Sequence, residues 1–115
     1  MAETLRDLIT EKAKRLRDVD ALGLVGAEKE LVELSSILSS LNKEIGDCHY
    51  ALNIKKVELL KENVTVAKTN LVSQATQEWK DFMDRMLQRE AVVEMIKAIK
   101  YYIKGGREEL KNQNY

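Results

Sequence analysis

Between Asp47 and Lys104 the chain has no glycine, and nowhere in its 115 residues is there a proline. Glycine and proline are the strongest local breakers of helices. Apolar residues recur at three- and four-residue spacing through this stretch and on both sides of it, which is the signature of amphipathic helix. The fold class that follows is all-α: a short N-terminal helix, then a long helical hairpin or coiled coil, expected to be oligomeric.

Size allows one domain, residues 1–115. Charged residues make up 33% of the chain, yet 19 basic and 19 acidic side chains cancel to a net charge of zero. A dedicated duplex-DNA binder carries a basic excess, so nucleic-acid contact would have to come from a local patch. With one Phe and one Trp, a core must be built from Leu, Ile, Val and Met, which suits thin rod packing. Cys48 is the sole cysteine, and this excludes an intrachain disulfide scaffold. Glu3 and Asp7 stand where a signal peptide needs a basic flank, and no run approaches the roughly 20 apolar residues of a membrane span. The expected location is the cytoplasm of a bacterial cell or of a virus-infected host cell.

Along the chain, the first helix is expected over about residues 4–18, opened by Thr4 and Asp7 in the form of a capping box. Leu5, Leu8, Ile9, Leu16 and Val19 line one face; Lys12, Lys14, Arg15 and Arg17 read as its solvated side. Gly23 and Gly26 mark a loop over 19–26. A second helix is expected over about 27–62, with Glu28 and Glu30 in its first turn, where the helix dipole favours negative charge. It carries a heptad run at Leu31, Leu34, Leu38, Leu41, Ile45, Cys48 and Leu52, widened by Ile37, Ala51 and Ile54. Beyond Leu52 the phase slips by five residues, to Val57, Leu60, Val64, Ala67 and Leu71. The β-branched run Val64, Thr65 and Val66 lies where helical propensity is weakest, so a turn is placed over 63–70. The competing reading is one continuous helix from Ala27 to Lys104, about 117 Å long at 1.5 Å per residue. Otherwise a third helix covers about 71–104, stopped by Gly105 and Gly106, with a frayed tail over 107–115.

Little of this supports catalysis. His49 is the only histidine, so no nucleophile–histidine dyad or histidine metal cluster forms within one chain. Cys48 and His49 are adjacent and point about 100° apart on a helix, too far to share an ion. No phosphate loop or metal motif is present, and every carboxylate has basic neighbours at helical spacing. The chain is read as a non-enzyme with no cofactor and no metal.

Two surfaces are singled out instead. The oligomer or packing seam comprises Leu31, Leu34, Leu38, Leu41, Ile45 and Leu52, with Trp79, Phe82 and Met86 set against it. A candidate nucleic-acid patch comprises Lys97, Lys100, Tyr101, Lys104 and Arg107, where cations track one side of a helix beside an aromatic ring. At 100° per residue Tyr101 falls with the lysines, whereas Tyr102 falls at the far edge of the apolar arc and packs.

In layout the chain resembles small all-helical accessory proteins of bacteriophages, and among them the recombination-mediator type of T-even phages. The shared aspects are a short N-terminal helix, a long heptad-bearing helix, a helix holding Trp79 between Glu78 and Lys80, and a closing basic helix from Ile96 to Arg107. The resemblance implies a ring-like homo-oligomer that binds single-stranded DNA and helps to load a recombinase. From the residues alone, the leading function is a helical assembly or adaptor module acting through homo-oligomerisation and protein–protein contacts. Single-stranded nucleic-acid binding is the alternative.

Overall fold

A computed structural model of the chain describes residues 4–17, 21–62 and 65–113, with side chains described up to residue 108. Its regular elements are four α-helices: α1 (Leu5–Leu16), α2 (Gly23–Lys61), α3 (Val66–Ser73) and α4 (Gln77–Gln113). No strand occurs among the described residues.

The start of α1 is the capping box expected from the sequence. The Asp7 amide donates to Thr4 Oγ1 at 3.1 Å, and the Thr4 amide donates back to Asp7 Oδ2 at 3.4 Å. The shorter acid still closes the box, so two amides with no helical acceptor are satisfied.

The start of α2 differs from the sequence reading. The helix begins at Gly23, four residues before Ala27, and Gly23 to Gly26 lie inside it. Residues 19 and 20 of the expected loop, and Asp18 at the end of the expected first helix, lie outside the described residues. The two glycines have different roles. Gly23 has φ +67°, a left-handed backbone that costs an L side chain about 1–2 kcal/mol, so it is a true turn residue. Gly26 is an ordinary helical position. Because the helix starts early, Glu28 and Glu30 are not first-turn acids, and their carboxylates serve other partners.

The segment read as a turn over 63–70 also differs: residues 63 and 64 lie outside the described residues, and α3 begins at Val66. After Lys61 the Glu62 amide turns back to the Leu59 carbonyl at 3.2 Å. Thr65 then caps a new helix, its Oγ1 accepting from the Lys68 amide at 3.2 Å, so residues 66–70 are helical. The β-branched Thr65 that lowers helix-interior propensity is a good N-cap, and it starts a helix here. A second break follows. Ala75 and Thr76 donate to the Val72 and Ser73 carbonyls, both at 3.0 Å, and Thr76 Oγ1 accepts from the Trp79 amide at 3.2 Å. The helix expected from residue 71 is therefore divided, and α4 starts at Gln77. A continuous helix from Ala27 to Lys104 does not form.

Gly105 and Gly106 do not stop α4, which runs through them to Gln113. Of the tail expected to fray, residues 107–113 are helical, while Asn114 and Tyr115 lie outside the described residues. A Cβ built on Gly106 would lie 2.5 Å from Leu24 Cδ2, so this glycine marks a close approach of α4 to α2. One residue on, Arg107 Nη2 donates to Glu28 Oε1 at 2.6 Å and ties the two helices together. Gly105 faces open space. A residue type read as a cap here admits a neighbouring helix.

The chain divides into two units, residues 1–39 with 90–115, and residues 40–89. In the first, Ile9, Ala27, Leu34, Ile37, Val92, Ile99 and Ile103 are buried. In the second, Leu41 and Leu52 are the buried large apolar side chains, accompanied by Thr69 and Ser73 of α3. Within this second unit α2 and α4 run antiparallel. Asn42 Oδ1 accepts from Arg89 Nε at 3.0 Å, and seven residues later His49 meets Phe82, with ring centroids 5.3 Å apart.

Candidate interaction surfaces

In the second unit α2 has two apolar faces. The first holds Leu41 and Leu52, 0% and 2% exposed, with Ile45, Cys48 and Leu59 half-buried beside them. Leu41, Ile45, Cys48 and Leu52 belong to the heptad run that the sequence predicts as a seam, and Leu59 lies beyond it. In the first unit Leu34 of the same run is also fully buried, with Leu31 and Leu38 half-buried. Leu34, Leu41 and Leu52 are therefore occupied inside the chain and offer nothing to a second copy. Trp79 and Phe82 are half-buried and Met86 is 38% exposed.

The second face is exposed. Tyr50, Ile54 and Val57 are 69%, 44% and 50% exposed, and they line a shallow groove of about 390 Å³ with Asn53, Glu58 and Lys61. At 100° per residue, Tyr50 lies about 180° round the helix from Leu41, and Val57 about 160°. The stripe is thus diametrically opposite the buried face. Ile54, which the sequence reading assigns to the flank of the seam, belongs here instead, and Ala51 is exposed. The five-residue slip from Leu52 to Val57 is a crossing from one face to the other. The signal was present as Tyr50, Ile54, Val57 and Lys61, at spacings of four, three and four.

The basic helix lies in the first unit. Tyr101 is 82% exposed, and Lys97, Lys100 and Lys104 are exposed near it, while Tyr102 is half-buried. Lys97 Nζ is 3.3 Å from Glu94 Oε1, and Arg107 is committed to Glu28. Lys100, Lys104 and Arg107 line a groove of about 360 Å³ together with Leu31, Ile103, Glu28 and Glu108. Two carboxylates among three cations leave this groove weakly positive. The sequence reading counts the cations of α4 and misses Glu28, which reaches them from α2.

Lys12 is not on a solvated face. It is 6% exposed, its Nζ lies 2.7 Å from Glu30 Oε2, and it also bonds Glu33 Oε2. Glu30 is 4% exposed, and its other oxygen accepts from Arg15 Nη1 at 3.1 Å. Burial pulls the Lys12 ammonium down, but the hydrogen bonds and charges of Glu30 and Glu33 outweigh it and set its pKa above the ordinary lysine value. The Lys12 hydrogen bond holds the Glu33 carboxyl below the usual range. This cluster docks α1 on α2. Burial raises the Cys48 thiol against the opposing charge of Arg85, so little of it is the reactive thiolate.

Among the described residues no group of three or more His, Cys, Asp or Glu side chains is placed to hold a metal ion. No described helix is long and apolar enough to cross a membrane. No protein-family model, curated protein or solved structure matches the chain. What the fold and its surfaces define is an all-helical protein with a second, uncovered apolar face.

Proposed function

We propose that the protein is a non-enzymatic assembly module that works by binding copies of itself through helix faces. The observation that carries this reading is the exposed stripe of Tyr50, Ile54 and Val57 opposite a face already buried. A helix that has satisfied one apolar face inside its own chain has no folding reason for another. Exposed apolar patches rimmed by polar groups mark sites of protein–protein contact. Leu71, Leu87 and Val66, exposed by 70%, 63% and 68% in the same unit, add apolar surface of the same kind. Sedimentation equilibrium tests the reading: the apparent mass rises above that of one chain as concentration increases.

The second reading is single-stranded nucleic-acid binding of the recombination-mediator kind. It is favoured by the 82% exposure of Tyr101 beside Lys100 and Lys104. Phosphate contacts release counterions, so such binding weakens steeply with salt. On this reading, replacing Lys97, Lys100 and Lys104 together by Gln abolishes binding to a labelled oligonucleotide in a salt titration. Unchanged binding by the triple variant removes this patch as the site.

A further inference from the structure

The stripe on α2 is complementary to itself in one orientation, and we infer that it pairs antiparallel with the same stripe of a second copy, setting Ile54 against Val57 and Tyr50 against Lys61. This rests on the assembly reading above and names its surface, its occupant and its direction.

The groove is formed entirely by one helix, over residues 50–61. Its natural complement is another helix laid along it. Tyr50, Ile54, Val57 and Lys61 alternate by four, three and four, which is the seam of a two-helix contact. Their numbers are symmetric about 55.5. Reversing the direction of a second copy brings 54 to 57 and 50 to 61, and the two-fold axis repeats both contacts. The centre of the interface is then four aliphatic side chains.

Charge decides the direction. Asp47 and Lys61 lie at the two ends of the same face, fourteen residues apart and equivalent in a seven-residue repeat. A parallel, in-register pair would put Lys61 on Lys61 and Asp47 on Asp47, two like-charge contacts. The antiparallel pair puts each Lys61 over the ring of Tyr50, an attraction between a cation and a π face, with Asp47 one turn away. The unfavourable contacts of one alignment become favourable in the other.

The stripe covers about 18 Å of helix at 1.5 Å per residue. A contact of about three turns of one helix from each copy is too small to reach the roughly 1,200 Å² that stable interfaces bury, so the pair exchanges with monomer as concentration changes.

The test uses sedimentation equilibrium on the full chain and three variants. Ile54→Asp with Val57→Asp weakens self-association at least tenfold, with the helical circular dichroism unchanged because both side chains are already exposed. Lys61→Glu weakens it about fivefold, since two symmetric contacts each lose an attraction. Adding Asp47→Lys to Lys61→Glu recovers part of it, because the reversed charges at 47 and 61 again attract across the antiparallel pair while the cation over the Tyr50 ring stays lost. If the double charge reversal recovers none of the association that Lys61→Glu loses, the antiparallel direction is wrong. If the double aspartate variant associates like the wild type, the stripe is not the interface, although self-assembly itself stands. A wild-type chain that stays monomeric overturns the inference and the assembly reading together.

Discussion

Lys12→Met lowers the stability of the chain by about 3 kcal/mol, the loss expected when one member of a buried ion pair is removed. The substitution preserves the volume of the stem and leaves the Glu30 carboxylate, 4% exposed, without the ammonium 2.7 Å away. Arg15 still holds the other carboxylate oxygen, which keeps the loss at the low end of the range for such changes. Urea denaturation followed by circular dichroism measures it. Changing Glu30 to Met as well recovers most of the loss, because an apolar pair of similar size has no desolvation to offset. If the double variant is as unstable as the single one, the loss does not come from a Glu30 carboxylate left unpaired.

The same cluster sets two limbs of the pH dependence. Lys12 has a folded pKa above its unfolded value, so its contribution is complete below the ordinary lysine value of about 10.4 and disappears as pH rises through the folded pKa. Glu33 has a folded pKa below its unfolded value. Its contribution is complete above about 4.3 and disappears as pH falls through the folded pKa. Lys12→Met removes the Lys12 part of the alkaline limb and blunts the acid one.

Leu41→Ala costs about 3 kcal/mol, combining lost burial with the cavity left behind. Leu41 is 0% exposed, and in the unit of residues 40–89 it shares the buried apolar core with Leu52. With so few anchors the neighbours have little material with which to collapse into the space. Val57→Ala, on the opposite face of the same helix and 50% exposed, changes stability by no more than about 0.5 kcal/mol. The urea midpoints of the two variants at low protein concentration make the comparison. Equal losses would mean that both faces are structural, and the division of α2 into a folding face and a binding face would fail.

Much of this architecture is legible in the residues. The all-helical class follows from periodicity and the lack of proline, and the capping box at Thr4 and Asp7 follows from spacing. What misleads is punctuation. Glycine at 105 and 106 looks like a stop, but a glycine inside a helix also lets another chain segment come close, and Leu24 fills that space at Gly106. Thr65 and Thr76 look like weak helix formers although their hydroxyls start α3 and α4. Lys12 is charged and so is assigned to water; its burial depends on Glu30 and Glu33, 18 and 21 residues away, which no local pattern reports. The exposed stripe is the most instructive case. Tyr50, Ile54 and Val57 repeat at helical spacing as well as the buried heptads do, and periodicity cannot say which of two apolar faces the chain itself will cover.

Sedimentation equilibrium of the wild-type chain over a hundredfold concentration range, beside Ile54→Asp with Val57→Asp, tests the division of labour on α2 most directly. The wild type is expected to climb from 13.2 kDa toward twice that mass, while the variant stays near one chain mass throughout. A wild-type mass pinned at 13.2 kDa at every concentration would contradict it.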